Sequence, residues 1–99
     1  MPSEFKLSVY ARTDIKKLFR YSYQQFGESQ ALKYKTELEA CLQLLADNPD
    51  LGRKCDHIRQ GYQRHEYARH IIFYRKRKTD IFIVKILHES MDAKRHIES

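Results

Sequence analysis

RHIIFYRKRKTDIFIVKILH, residues 69–88, is the stretch that decides the fold. It contains two runs, RHIIFYRK (69–76) and DIFIVKILH (80–88), rich in β-branched and aromatic residues. Such side chains fill a pleated, half-buried surface, so both runs are predicted to be strands. RKT (77–79) between them is read as a hairpin loop. Pairing Lys76 with Asp80 sets Ile72 against Val84, Tyr74 against Phe82 and His70 against Ile86 on one face. The other face then carries Ile71, Phe73, Ile81, Ile83 and Leu87 at its centre, with Arg69, Arg75 and Lys85 around them. The first face is expected to pack on helices. The second, apolar in the middle and cationic at its edges, is expected to be a protein-binding groove unless the tail after residue 90 covers it.

The helices lie upstream. Ile15, Leu18, Phe19, Ser22 and Phe26 follow helical spacing, and Gly27 is a natural stop. Ser29 is expected to cap a second helix whose stripe is Ala31 or Leu32, Tyr34, Leu38, Cys41 or Leu42, and Leu45. NPDLG (48–52) ends it, because proline cannot continue a helix and biases its predecessor away from helical angles. FKLSVY (5–10) alternates like a half-buried strand, and a further short strand is expected near Tyr62–Glu66. Neither helix can bury its stripe alone. The expected fold is therefore α+β: an N-terminal strand, an antiparallel two-helix hairpin, then a mostly antiparallel sheet of about four strands in all, packed on the helices. With 99 residues and rare glycine and proline, one domain spanning 1–99 is expected.

Charge is uneven. Residues 1–50 hold seven Lys/Arg and seven Asp/Glu, whereas residues 51–99 hold twelve and six, with all five histidines. This asymmetry points to an anionic partner or to a solvated basic surface. No stretch reaches the ~18 apolar residues of a membrane span and no signal pattern opens the chain, so a cytoplasmic protein with no membrane partner is expected. Cys41 and Cys55 are then free thiols, Cys41 a small hydrophobe on a helix and Cys55 near Arg53 and Lys54 without a base beside it. No spacing suits a metal; His65 and His70 are five apart, which on one strand points them to opposite sides. No cofactor is expected.

Two kinds of chemistry remain. Arg59, Arg64, His65, Arg69, Arg75 and His88 suffice in principle to cleave RNA, yet any basic sheet offers such a set. His88 in ILHESMD (86–92) is the sharpest of them; its structural reading is a strand-end histidine bonded to backbone or to Asp92. Tyr62, Tyr67 and Tyr74 interleave with arginines and suit either base stacking or packing.

Together, the NPxxG turn (Asn48, Pro49, Gly52), the IRxGY segment (Ile58, Arg59, Gly61, Tyr62), the HxIFY strand (His70, Ile72, Phe73, Tyr74) and the ILHxxMD terminus (Ile86, Leu87, His88, Met91, Asp92) resemble the ParE toxins of the RelE/ParE superfamily. The resemblance covers nearly the whole chain. It implies a toxin of a type II toxin–antitoxin system that inhibits DNA gyrase and blocks replication. It implies a ParD-type antitoxin as hetero-oligomeric partner, operator DNA being met only through that antitoxin. RelE-like relatives instead cleave mRNA on the ribosome and typically place a tyrosine just past the last strand. Here Met91 and Asp92 stand there and no tyrosine follows Tyr74, so no catalytic residue is expected. The alternatives are a divergent ribosome-dependent endoribonuclease using Arg59, Arg69 and His88, or a pure interaction module. Antitoxin contact is expected at Arg69, Arg75, Lys85 and the helix-hairpin surface. Gyrase contact is expected at Arg75, Lys76, Arg77, Lys78, Lys94 and Arg95.

Overall fold

Ser8 ends the first strand and starts the first helix. Its hydroxyl accepts the Ala11 N–H at 2.9 Å, the bond an N-cap side chain makes. The same Oγ donates to the Val84 carbonyl at 2.6 Å, and the Ser8 N–H reaches the Ile83 carbonyl at 3.0 Å. The strand expected over 5–10 therefore covers only Phe5–Leu7 (β1), and Val9 and Tyr10 are already helical. In the computed structural model, which describes residues 4–89, α1 (Val9–Phe26) and α2 (Glu28–Asp47) follow. Then come β2 (Arg53–Lys54), β3 (Tyr62–Tyr67), β4 (His70–Lys76) and β5 (Ile81–His88).

Gly27 alone joins the two helices. Its φ of 89° lies where side-chain-bearing residues are strained; its N–H closes α1 on the Tyr23 carbonyl and its own carbonyl accepts the Ala31 N–H of α2. Ser29 thus lies inside α2 rather than capping it. The open choices in the α2 stripe resolve by burial: Ala31, Leu38, Cys41, Leu42, Leu45 and Ala46 are inside, while Leu32 is exposed. In α1, Ala11 and Ser22 are buried and Ile15 and Leu18 pack on the core, but Phe26 projects into solvent at 66% exposure. At the other end of α2, the Asn48 N–H and Nδ2 both donate to the Leu44 carbonyl before Pro49 turns the chain away.

Among the described residues the sheet is five-stranded, in the order β1-β5-β4-β3-β2. Only β1 and β5 run parallel; the other pairs are antiparallel. The added strand, β2, is two residues long, too short to leave a periodic signature. The β4–β5 register differs from the one read from sequence. The loop is Arg77–Asp80, closed by an Arg77 N–H bond to the Asp80 carbonyl at 2.8 Å, so Lys76 pairs with Ile81 and Tyr74 with Ile83. A β-bulge then inserts Val84, and Phe73 meets Lys85, Ile72 meets Ile86 and His70 meets His88. A one-residue slip exchanges faces and the bulge restores them. Ile81 and Ile83 therefore join Ile72, Tyr74 and Ile86 against the helices, while Ile86 and Leu87 keep the faces expected of them. On the far face Ile71, Phe73 and Leu87 are buried with Cys55, Ile58 and Tyr62 packed on them. The groove expected at the apolar centre of that face is thus filled by the chain's own 55–62 segment.

Candidate functional site

One concavity the chain leaves open lies between the helices. α1 turns Ile15, Lys16, Phe19, Arg20 and Tyr23 to one side, positions that fall on one helical face. With Lys35 of α2 they line a space of about 660 Å³. Phe19 and Tyr23 have ring centroids 6.4 Å apart, and the Lys35 ammonium lies 6.0 Å over the Phe19 ring. No carboxylate lines the space, so an apolar floor sits inside a rim whose charged residues, Lys16, Arg20 and Lys35, are all cationic and which Gln24 completes. Phe26, on the same side of α1, extends the exposed apolar surface toward the hairpin tip. Summing charge over half the chain hid this surface: α1 carries Arg12, Lys16, Lys17 and Arg20 against Asp14 alone, and acidic residues of α2 cancel it in the total. A tally by helix would have exposed it.

The residues singled out from sequence separate into distinct places. Arg75 and Arg77 lie 5.5 and 4.6 Å from the Phe82 ring centroid, and Arg77 is bidentate to Asp80 at 2.6 and 2.8 Å. That hydrogen bond holds the Asp80 carboxyl below its ordinary pKa. Lys76 pairs with Asp50, and exposed Lys78 completes a cationic β4–β5 hairpin tip. Lys94, Arg95, Met91 and Asp92 lie outside the described residues. Arg69 sits at the opposite end of β4, highly exposed, 4.0 Å from Glu89. Lys85 does not share a face with them: at the bulge it turns to α1, donating to Asp14 at 3.3 Å and lying 5.5 Å from the Tyr10 ring centroid. The three residues expected to form one antitoxin face are therefore not contiguous.

Nor does the fold assemble Arg59, Arg69 and His88. Arg59 precedes β3 and Arg69 follows it, so a six-residue strand, roughly 20 Å, separates them. His88 instead meets His70 edge to face at 5.4 Å, with Tyr34 Oη 3.1 Å from His70 Nδ1. His65 and His70 lie on the same face of neighbouring strands, because the turn at Ala68 separates them, and among the described residues no group of three ligands gathers. Tyr74, offered for stacking, is fully buried. Cys41 and Cys55 are free and buried, and burial raises both thiols above their ordinary pKa. No helix among the described residues is long and apolar enough to cross a membrane.

The sequence model of the ParE toxin of the type II toxin–antitoxin system parDE matches residues 5–93. The chain belongs to the ParE toxin family. It is 34% identical over 93 residues to Toxin ParE1 of Caulobacter vibrioides, spanning 94% of this chain and 96% of that protein. It is 35% identical over 98 residues to Toxin ParE1 of Mycobacterium tuberculosis, spanning 98% of this chain and all of that protein. A solved structure of a chromosomal ParDE system from P. aeruginosa superposes with a TM-score of 0.72 at 17% identity, over 86% of this chain and 94% of the other, a likeness of fold. The geometry ties the ParE-like motifs to one another. The Tyr74 phenol of HxIFY donates to the Pro49 carbonyl of NPxxG at 2.8 Å and accepts the Gly52 N–H at 2.9 Å. In IRxGY, Ile58 and Tyr62 cover the far face, and Gly61, at φ 85°, donates to Asp56 at 2.9 Å.

Proposed function

We propose that this ParE family member is the toxin of a toxin–antitoxin pair, one domain in extent and cytoplasmic, that inhibits DNA gyrase by binding and not by catalysis. Its neutralising partner is a ParD-type antitoxin that lays an amphipathic, acidic segment into the groove between α1 and α2. The observation behind this reading is the groove: Phe19 and Tyr23 on its floor, Lys16, Arg20 and Lys35 on its rim, and no acid among its lining residues. An apolar stripe flanked by Asp or Glu matches it in shape and sign. Family membership and a toxin–antitoxin origin for the structural neighbour support a dedicated partner.

The family resemblance supports gyrase inhibition, and the β4–β5 hairpin tip is the proposed contact, with Arg75 and Lys76 at the end of β4 and Arg77 and Lys78 in the loop. The purified toxin should inhibit gyrase supercoiling and accumulate cleaved DNA, and its cognate antitoxin should reverse both. Unaltered supercoiling at high molar excess would refute the gyrase part, while antitoxin binding, measured separately by calorimetry, tests the groove. Because Arg59 and His88 stand at opposite ends of the sheet, ribosome-bound mRNA should remain intact.

A further inference from the structure

On the other side of α1 from the groove is a second, smaller recess of about 280 Å³. α1 contributes Asp14, Lys17 and Leu18; β4 contributes His70; β5 contributes Lys85, Ile86, Leu87 and His88. The apolar residues form its walls. Its polar groups are two lysines, two imidazoles and a single carboxylate. That carboxylate is already engaged: Asp14 accepts the Ile86 N–H at 3.1 Å through one oxygen and Lys85 at 3.3 Å through the other. Asp14 is thus held by the bulged strand, and the cationic groups around it outnumber it even with both imidazoles neutral. Two histidines edge to face at 5.4 Å leave each imidazole beside a second protonatable ring.

We infer that this recess is an oxyanion site, built to take one carboxylate or phosphate-type group against Lys17, Lys85, His70 and His88. The site needs no antitoxin and stands apart from the reading above. An acidic side chain of a partner is one source of the group and a free inorganic anion the other.

The site is linked to protons. Burial first, and then the neighbouring His88, hold His70 below its ordinary pKa, with Glu89 acting the other way. The groups facing the pair from each packed element are Asp14 and Lys17 of α1, Tyr34 of α2, Tyr67 of β3, Lys85 of β5, and Glu89 after it. Tyr34 and Tyr67 stay protonated, since burial raises both, Tyr67 to about 12. An anion in the recess favours the protonated imidazoles. By linkage its affinity rises as pH falls, by up to about tenfold per pH unit for each proton taken up.

The test is a histidine titration by NMR on the whole chain, in sodium sulfate, sodium acetate and sodium chloride at matched ionic strength. Sulfate keeps its charge across the window, about pH 5 to 8, in which histidines titrate. His70 and His88 should titrate at higher pH in sulfate or acetate than in chloride, while His57, on an exposed loop, stays put. A larger effect of sulfate assigns the site to phosphate-type groups; a larger effect of acetate assigns it to carboxylates. Lys17→Gln, at an exposed helix position, should weaken the anion effect roughly three- to tenfold without loss of fold. Lys85→Gln is the second variant. Unmoved His70 and His88 in both salts, or equal movement of His57, would overturn the inference, as would full anion response in both lysine variants.

Discussion

The phenol oxygen of Tyr74 sits between the Pro49 carbonyl and the Gly52 N–H, 2.8 and 2.9 Å from each. It pins the loop after α2 to the middle of the sheet. Gln63 reinforces it, donating to the Pro49 and Gly52 carbonyls at 3.2 Å. Tyr74→Phe takes the acceptor from the Gly52 N–H and leaves the Pro49 carbonyl with Gln63 alone, and should cost about 1–3 kcal/mol. For a chain of this size that is a fall in Tm of roughly 4–8 °C per kcal/mol. Gly52→Ala should be as harmful, because its Cβ would stand 2.5 Å from that oxygen and 2.8 Å from the Arg64 carbonyl. Thermal unfolding followed by circular dichroism checks both.

Ser8→Ala tests the joint between α1 and β5. An N-cap loss alone costs about 1 kcal/mol. Here the hydroxyl also serves the Val84 carbonyl, so a loss of about 2 kcal/mol or more is expected. Urea midpoints should show it, with Thr13→Ala, an exposed bond inside α1, nearly silent by comparison.

Stability should also depend on pH through His70. Its folded-state pKa is depressed, first by burial and then by His88. The unfolded chain therefore binds the proton more readily. Stability is complete above the ordinary histidine pKa of about 6.5 and is lost as pH falls through the lower folded value. In chloride buffers Tm should drop between about pH 7 and 5. His70→Gln should flatten that part of the curve; an unchanged curve would assign the drop to other groups.

Reversing the groove's rim should weaken the antitoxin. Arg20→Glu and Lys35→Glu are each expected to lower affinity roughly five- to tenfold, on the order of 1 kcal/mol. The loss should shrink at high salt. Arg69→Glu, at the far turn, is the contrasting variant, and equal losses there would move the interface to the sheet end. Calorimetry at two salt concentrations separates the cases.

Neither cysteine should react readily with a thiol reagent in the native protein, since Cys41 and Cys55 are buried and their thiols are pushed up by that burial. Both should react once the chain is unfolded in urea. Fast native reaction at Cys55 would mean that the 55–62 segment lifts off the sheet.

The helices were legible in the sequence because Leu38, Leu42 and Leu45 repeat with helical spacing and Gly27 and Pro49 punctuate them. The strands were legible because 70–76 and 81–88 are dense in Ile, Phe, Tyr and Val. Faces were harder. A loop of four residues instead of three, together with one inserted residue at Val84, moved Ile81 and Ile83 to the helix side and turned Lys85 to Asp14. Neither the loop's Arg77–Asp80 clasp nor the bulge has a periodic signature. The recess was half legible: His88 stood out, but Lys17 and Asp14 lie about seventy residues away and only the tertiary fold brings them to it. The helix-hairpin surface was expected as a contact, but its groove residues were not singled out, because the acidic residues of α2 cancel the cations of α1 when charge is summed over residues 1–50.

Placing β1 beside β5 has a consequence for synthesis. Ser8 and Val84 are 76 residues apart, and at about 5–20 residues per second the ribosome needs roughly 4 to 15 s to make the distance between them. Throughout that interval the helical hairpin can form, but β1 has no neighbour and the inner side of α2 has no sheet to lie on. The finished toxin cannot appear gradually. It arrives only with β5, so under the proposed reading an antitoxin present during translation would have seconds in which to meet the groove on α1 and α2 before there is a complete molecule to restrain.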